Sequence, residues 1–298
     1  MQSKNKNGAW AAHVVAIAVV CCWGCTFVNT KYLIMGGMLP WEIFACRFLL
    51  AYLAIWTISP RRLFADNWKD EGLMCLLGIT GGSLYFLAEN EAVGISYVNN
   101  VAFIVCTAPL ITVALAILFL RNVKSSWQLI AGSLLALLGV AFVIFNGHFV
   151  LHLNPLGDWL ALMAAISWAV YSLLMKFVAD RYSAVFITRK VFFYGLLTIL
   201  PMFAVKPWQF PLADFLRPEI WTNLLFLGFI ASFVCFALWS WAISRVGAIK
   251  TSNYVYLNPL TTIFASALFL NEPMTSVAWM GCLLILSGIY MANKAKGI

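Results

Sequence analysis

Cys22-Trp23-Gly24-Cys25-Thr26-Phe27, with Lys31 eight residues beyond the Trp, recurs 145 residues later as Ser167-Trp168-Ala169-Val170-Tyr171, with Lys176 eight residues beyond its Trp. Further landmarks repeat at nearly the same offset: Gly78 with Gly228, Pro109 with Pro259, Gly139 with Gly288. The chain therefore says one thing twice. A duplication within a strongly apolar chain is a sequence mark of membrane carriers built from repeats.

Composition supplies the setting. The 298 residues are 63% hydrophobic and 10% charged, whereas soluble domains are about 45–50% apolar and about 25% charged. The net charge of +8 does not imply nucleic acid, because the basic residues sit in short loops between apolar stretches, as membrane topology requires. All eight cysteines lie inside apolar stretches, which argues against a secreted disulfide framework. The first stretch is long enough to span a bilayer, so no cleavable signal peptide is expected.

Ten spans are predicted: 10–35, 40–59, 71–93, 97–120, 126–146, 157–179, 184–205, 219–244, 249–270 and 275–293. Each is close to the roughly 20 apolar residues a transmembrane helix needs, and none alternates as a transmembrane strand would. The expected fold is all-α and integral to the membrane. One set of loops holds twelve cations (Lys4, Lys6, Arg61, Arg62, Lys69, Arg121, Lys124, Arg181, Arg245, Lys250, Lys294 and Lys296); the other holds Lys206 and Arg217. That bias places both termini in the cytoplasm. The two units, 10–146 and 157–294, have five spans each, and an odd number inverts the second relative to the first. Inverted repeats put a substrate site near the midplane between the halves and reach it by alternating access. A channel or a structural scaffold is the competing outcome of duplication.

These motifs make the chain resemble the drug/metabolite transporter superfamily, of the EamA type. The first repeat carries Trp23-Gly24-Cys25-Thr26-Phe27, and the second the matching Ser167-Trp168-Ala169-Val170-Tyr171-Ser172. The closing segment matches at Tyr256-Leu257-Asn258-Pro259-Leu260, Phe269-Leu270-Asn271-Glu272-Pro273, Gly281 and Gly288, whereas Arg121-Asn122 replaces the acidic element in the first repeat. The resemblance spans nearly the whole chain. It implies a ten-helix carrier whose cavity is built by the first, third, fourth, sixth, eighth and ninth helices. It does not choose among amino acids, sugars, nucleotide-linked metabolites and drugs.

Charges inside spans cost about 2.5–3.5 kcal/mol on insertion scales and are functional candidates by default. Lys31 and Lys176 fall near opposite ends of the pathway; each either snorkels to the interface or acts at a gate. Arg47 lies deeper in span 2, where it forms a structural ion pair or an outer gate with Glu42, Glu89 or Glu91. Glu42 and Glu272 each open a helix next to a Pro, where a carboxylate favours the dipole. A carboxylate removed from water takes up protons more readily. Glu89 and Glu91 are thus candidates for proton coupling or for binding a substrate amine, Glu89 the more so for its depth; hydrated mouth carboxylates are the alternative.

Polar faces of spans 4 and 9 are candidate cavity linings: Asn100 with Thr107, and Tyr254 with Asn258 and Thr261 or Thr262 on one helical face. Pro109 and Pro259 each free a backbone carbonyl near the midplane, unless they are packing kinks. Trp23, Tyr85, Trp168, Tyr171 and Trp239 lie within spans and are either cavity lining or packing. Cys21, Cys22 and Cys25 read as small core residues, and His148 with His152 as loop residues, so no metal is expected. Gly132 with Gly139 and Gly281 with Gly288 form a close-contact seam, within one molecule or between two.

Function follows as a secondary carrier of a small metabolite, with export of amino acids or related amphipathic compounds across a bacterial cytoplasmic membrane as the leading expectation. Uptake of a sugar or nucleoside-like solute is the alternative, and a channel a lesser one. No phosphate-binding glycine loop is present, so ATP is not the direct energy source and no cofactor is expected. No constellation of catalytic residues points to an enzyme. The expected partners are the substrate, the lipid bilayer and protons as a candidate coupling ion, in a monomer or weak homodimer.

Overall fold

The computed structural model describes residues 2–59, 63–120, 126–145, 154–261 and 275–295. Side chains of 2–9, 99 and 145 are not described. The loop cations Arg61, Arg62, Arg121, Lys124 and Lys296, the loop histidines His148 and His152, Thr262 and the 269–273 motif with Glu272 lie outside the described residues.

All described elements are helical. In chain order they are α1 (Gln2–Met35), α2 (Pro40–Ile58), α3 (Trp68–Ile95), α4 (Val98–Val105 and Ala108–Phe119), α5 (Trp127–Phe145), α6 (Pro155–Met175), α7 (Ala184–Val205), α8 (Pro218–Val246), α9 (Ala248–Ser252, continuing through a tighter 3-10 turn at Asn253–Leu257) and α10 (Ser276–Asn293). Among the described residues nine helices are long and apolar enough to cross a membrane; α9 leaves the described region at residue 261. Local chemistry sets the ends. Asn67, Asn154, Ser183 and Thr275 accept the backbone N–H three residues on, satisfying first-turn donors of α3, α6, α7 and α10. Gly247, at φ +87°, makes the left-handed turn that lets α9 follow α8 directly. The predicted span 6 runs too far: α6 ends at Met175, and Lys176 opens a chain of turns towards Ser183.

Large apolar side chains ring the outside, among them Leu118, Phe119, Trp127, Val205 and Leu283. Such a perimeter suits hydrocarbon and not water. Inside, elements pair across the two halves: α1 with α8, α3 with α6, α2 with the middle of α8, and α7 with the start of α3.

The glycine seam lies within the molecule. α5 and α10 run against each other so closely that a Cβ on Gly288 would stand 2.5 Å from Ala136 N and Gly132 O, and one on Gly139 2.7 Å from Gly281 O. This uses the small-residue faces that a dimer would otherwise need.

The middle of α3 and of α8 each contains a π-helical stretch, Ile79–Ser83 and Phe226–Val234. Such wide turns leave carbonyls without their usual helical donor. The opposite half supplies the donors: Ser167 Oγ donates to Thr80 O at 2.7 Å, and Trp23 Nε1 to Ala231 O at 2.8 Å. The duplicated motif thus stitches each half to the widened helix of the other.

Candidate functional site

The repeat mates Trp23 and Trp168 meet at the centre of the molecule, edge to face, with ring centroids 5.3 Å apart. Tyr85 of α3 leans on Trp168 at 5.0 Å, and Phe236 of α8 lies 5.6 Å from Trp23. Between these rings runs a cavity whose wall also holds Thr26, Phe27, Arg47, Phe86, Glu89, Val105, Val255 and Asn258. Its volume of about 30 Å3 suffices for a water or two, since one water needs roughly 10–15 Å3 on this measure. The conformation is therefore contracted, and a substrate requires the rings to part.

Two opposite charges line this wall. Arg47 is buried on α2; its Nε donates to Ser232 Oγ at 2.9 Å and its guanidinium lies 4.2 Å from the centre of the Phe86 ring. Glu89 is buried on α3 and accepts from Tyr85 Oη at 2.9 Å. The two charges attract each other, yet among the described residues no carboxylate closes an ion pair on Arg47. Each keeps a neutral hydrogen-bond partner instead. The arrangement is an open pair, and burial makes both charges costly to leave so.

Two broken helices border the same wall. Pro109 follows a turn at Cys106–Thr107 in α4, and Pro259 follows the 3-10 turn of α9. Each Pro lacks the N–H that would bond the carbonyl four residues before it, at Val105 and Val255. Both valines line the cavity. Val255 O accepts the Asn258 N–H of the tighter turn and also meets the Cys106 thiol at 3.8 Å.

Trp23, Arg47, Tyr85, Glu89, Trp168 and Asn258 are thus brought to one cavity. Other candidates go elsewhere. Tyr171 is fully buried and fills the space over Gly81, in the widened turn of α3. Trp239 packs 5.0 Å from Trp23 but one layer behind the wall. Thr107 bonds back to Ile104 O at 2.6 Å, at the turn in α4. Asn100 is buried away from the wall. Tyr254, also buried, turns away from the central cavity, where its Oη meets His13 Nδ1 at 2.8 Å. Glu91 pairs with Lys206 near the surface, at 4.0 Å. Glu42 is no partner for Arg47: it accepts from Leu39 N at 2.9 Å and from the N–H groups of Gln209 and Phe210, so it caps α2 and pins the 206–211 loop.

Neither lysine reaches the central cavity. Lys31 Nζ donates to Val93 O at 2.7 Å and Gly94 O at 3.5 Å, the last turn of α3. A cation there satisfies orphan carbonyls and the negative end of the helix dipole. In this conformation its ammonium is spent on the end of α3 and not on the cavity. Lys176 is exposed and borders a separate chamber of about 220 Å3 with Asp180 and Lys250.

The sequence reading missed Arg189 and Lys190, five and six residues into α7, although the cost argument that singles out Arg47 applies equally. Lys190 is buried against Glu71, which also accepts from Tyr194 Oη and Ala65 N, and its ammonium donates to Leu63 O at 2.8 Å. Beside it, Asp70 accepts from Arg181 and Tyr182 at 2.7 Å each. These pairs tie α3 to α7 and the turn before it. They are structural and distant from the aromatic cavity.

Comparison with known proteins agrees with this architecture. The family model described as the EamA-like transporter family matches twice, at residues 10–145 and 155–294. A probable amino-acid metabolite efflux pump of Escherichia coli is 24% identical over 285 residues, covering 93% of both chains. The uncharacterised transporter YvbV of Bacillus subtilis is 30% identical over 260 residues, covering 83% of this chain and 79% of that one. A crystal structure superposes with a TM-score of 0.74 at 17% identity, covering 95% of this chain and 96% of the other, which shows the shared fold. The chain belongs to the EamA-like transporter family and is a multi-pass membrane transporter.

Proposed function

We propose that this transporter is a secondary-active exporter of amino acids or closely related zwitterionic metabolites. The observation that carries the reading is the open Arg47–Glu89 pair in one aromatic cavity. A zwitterion presents a carboxylate and an ammonium a few bonds apart. Arg47 suits the carboxylate, Glu89 the ammonium, and the faces of Trp23, Trp168 and Phe236 an apolar side chain. A neutral sugar would leave both charges uncompensated, which disfavours the uptake alternative. The amino-acid efflux pump named among the relatives points the same way.

Alternating access follows from the contracted cavity between two inverted halves, 10–146 and 157–294. Rocking of one half on the other parts the Trp23–Trp168 contact on one face at a time. Protons are the coupling ion in this scheme: Glu89, ionised in the conformation described, takes up a proton on one face of the membrane and gives it up for the substrate's ammonium on the other. The bias of loop cations supports cytoplasmic termini, and the efflux pump of Escherichia coli among the relatives supports a bacterial inner membrane.

Counterflow in proteoliposomes tests the reading. Vesicles preloaded with an unlabelled amino-acid mixture should accumulate trace labelled amino acid saturably. Flux that does not saturate, or accumulation driven by sugars and not by amino acids, would overturn it.

A further inference from the structure

On the face that carries the two chain ends, a groove of about 350 Å3 opens between α1, α9 and α10. It is separate from the aromatic cavity and shares none of its lining. Its polar end holds His13, Lys250, Asn293 and Lys294, and no carboxylate is among the lining residues. Its floor is apolar, with Ile17, Leu286 and Ile289, and two of these face outward: Ile17 is 39% and Leu286 54% exposed on the lipid-facing perimeter.

The polar end is organised. Tyr254 Oη is hydrogen-bonded to His13 Nδ1; with the phenol donating, a neutral ring keeps its proton on Nε2 as a donor. Asn293 Oδ1 accepts from Asn253 Nδ2 at 2.8 Å, and its side chain also hydrogen-bonds Tyr254, so Asn293 orders this end of the groove. Lys294 lies with its ammonium 4.6 Å from the centre of the Tyr290 ring, held at the rim. Two cations and the His13 donor thus stand above an apolar strip that continues into the bilayer.

We propose that this groove binds an anionic phospholipid of the membrane, with the phosphodiester between Lys250 and Lys294 and one acyl chain along Ile17, Leu286 and Leu283. Charge complementarity selects the headgroup, as basic pockets between transmembrane helices do for anionic lipids. The outward exposure of the floor selects a lipid over a free anion, which would gain nothing from the strip. The occupant bridges α1, α9 and α10, so it stabilises the bundle where α9 joins the seam.

Thermal unfolding of delipidated protein in detergent tests this, with phosphatidylglycerol, phosphatidylcholine and glycerol 3-phosphate as probes. A ligand bound only by the folded state raises the transition temperature. Phosphatidylglycerol is expected to raise it by several degrees more than the other two. Lys250→Gln/Lys294→Gln should abolish that excess. Lys176→Gln, which removes the cation of the neighbouring chamber that Lys250 also borders, should retain it. An equal rise with phosphatidylcholine, an equal rise with glycerol 3-phosphate, or an undiminished excess in the double variant overturns the proposal. Should the double variant fail to fold, Lys294→Gln decides alone: its side chain is exposed, and a full excess in that variant is likewise a refutation.

Discussion

Replacing Glu89 by Gln isolates the charge from the shape of the site. Gln fills the same volume and keeps an oxygen that can accept from Tyr85 Oη, the contact now made at 2.9 Å. Arg47 keeps Ser232 Oγ and the Phe86 ring, so the fold is expected to survive with a modest loss of stability. What disappears is the anionic partner for a substrate ammonium. Hydrogen bonds to charged groups contribute about 1.5–3 kcal/mol, and each 1.4 kcal/mol is about tenfold in affinity. Glu89→Gln should therefore raise the half-saturating amino-acid concentration in counterflow by about 10- to 150-fold. A desamino analogue, which lacks the ammonium, should be carried equally by wild type and variant. An amide does not titrate, so the variant's flux should also lose the pH dependence that Glu89 confers on the wild type. Wild-type half-saturation together with a wild-type pH profile would refute both roles assigned to Glu89.

Other perturbations test the scaffold. Lys190→Met strands Glu71 in a buried site and should cost about 3–5 kcal/mol; the double replacement with Glu71→Leu should recover most of it, measured by chemical unfolding in detergent. Gly288→Ala places a methyl group 2.5 Å from Ala136 N and Gly132 O. Backbone cannot yield cheaply, so the loss should reach the upper end of the roughly 1–3 kcal/mol typical of overpacking and appear as a lower unfolding temperature. Lys31→Gln should lower stability by about 0.3–1 kcal/mol, the usual worth of a cation at a helix C-terminus, and leave counterflow intact; abolished flux in a folded variant would restore a gating role.

Much of the architecture is legible in the linear chain because bilayer constraints are local. A span must be long, apolar and helical wherever it sits, so most helix ends predicted from hydropathy fall near the observed ones. The destinations of polar side chains are not local in this sense. Tyr254 and Asn258 share a predicted helical face, yet the 3-10 turn between them rotates Tyr254 towards His13 while Asn258 stays on the cavity wall. Lys31 looks like a stray charge until the last turn of α3 arrives beside it. Arg189 and Lys190 required only the rule already applied to Arg47; Glu71, which neutralises Lys190, and the Leu63 carbonyl, which accepts from it, are more than a hundred residues away.

Hydropathy, the repeated Trp motif and the bias of loop cations each read one stretch at a time, and together they suffice for a duplicated, all-helical membrane protein of the transporter class. Only the tertiary structure decided what the motif does: Trp23 and Trp168 meet at the centre, and Trp23 and Ser167 satisfy carbonyls opened by wide turns in the opposite half. It also decided that Arg47 and Glu89 share a cavity without closing on each other. The physical reason is that a side chain's role depends on the donors, acceptors and charges that packing brings within a few ångströms, and packing across an inverted repeat joins residues far apart in the chain.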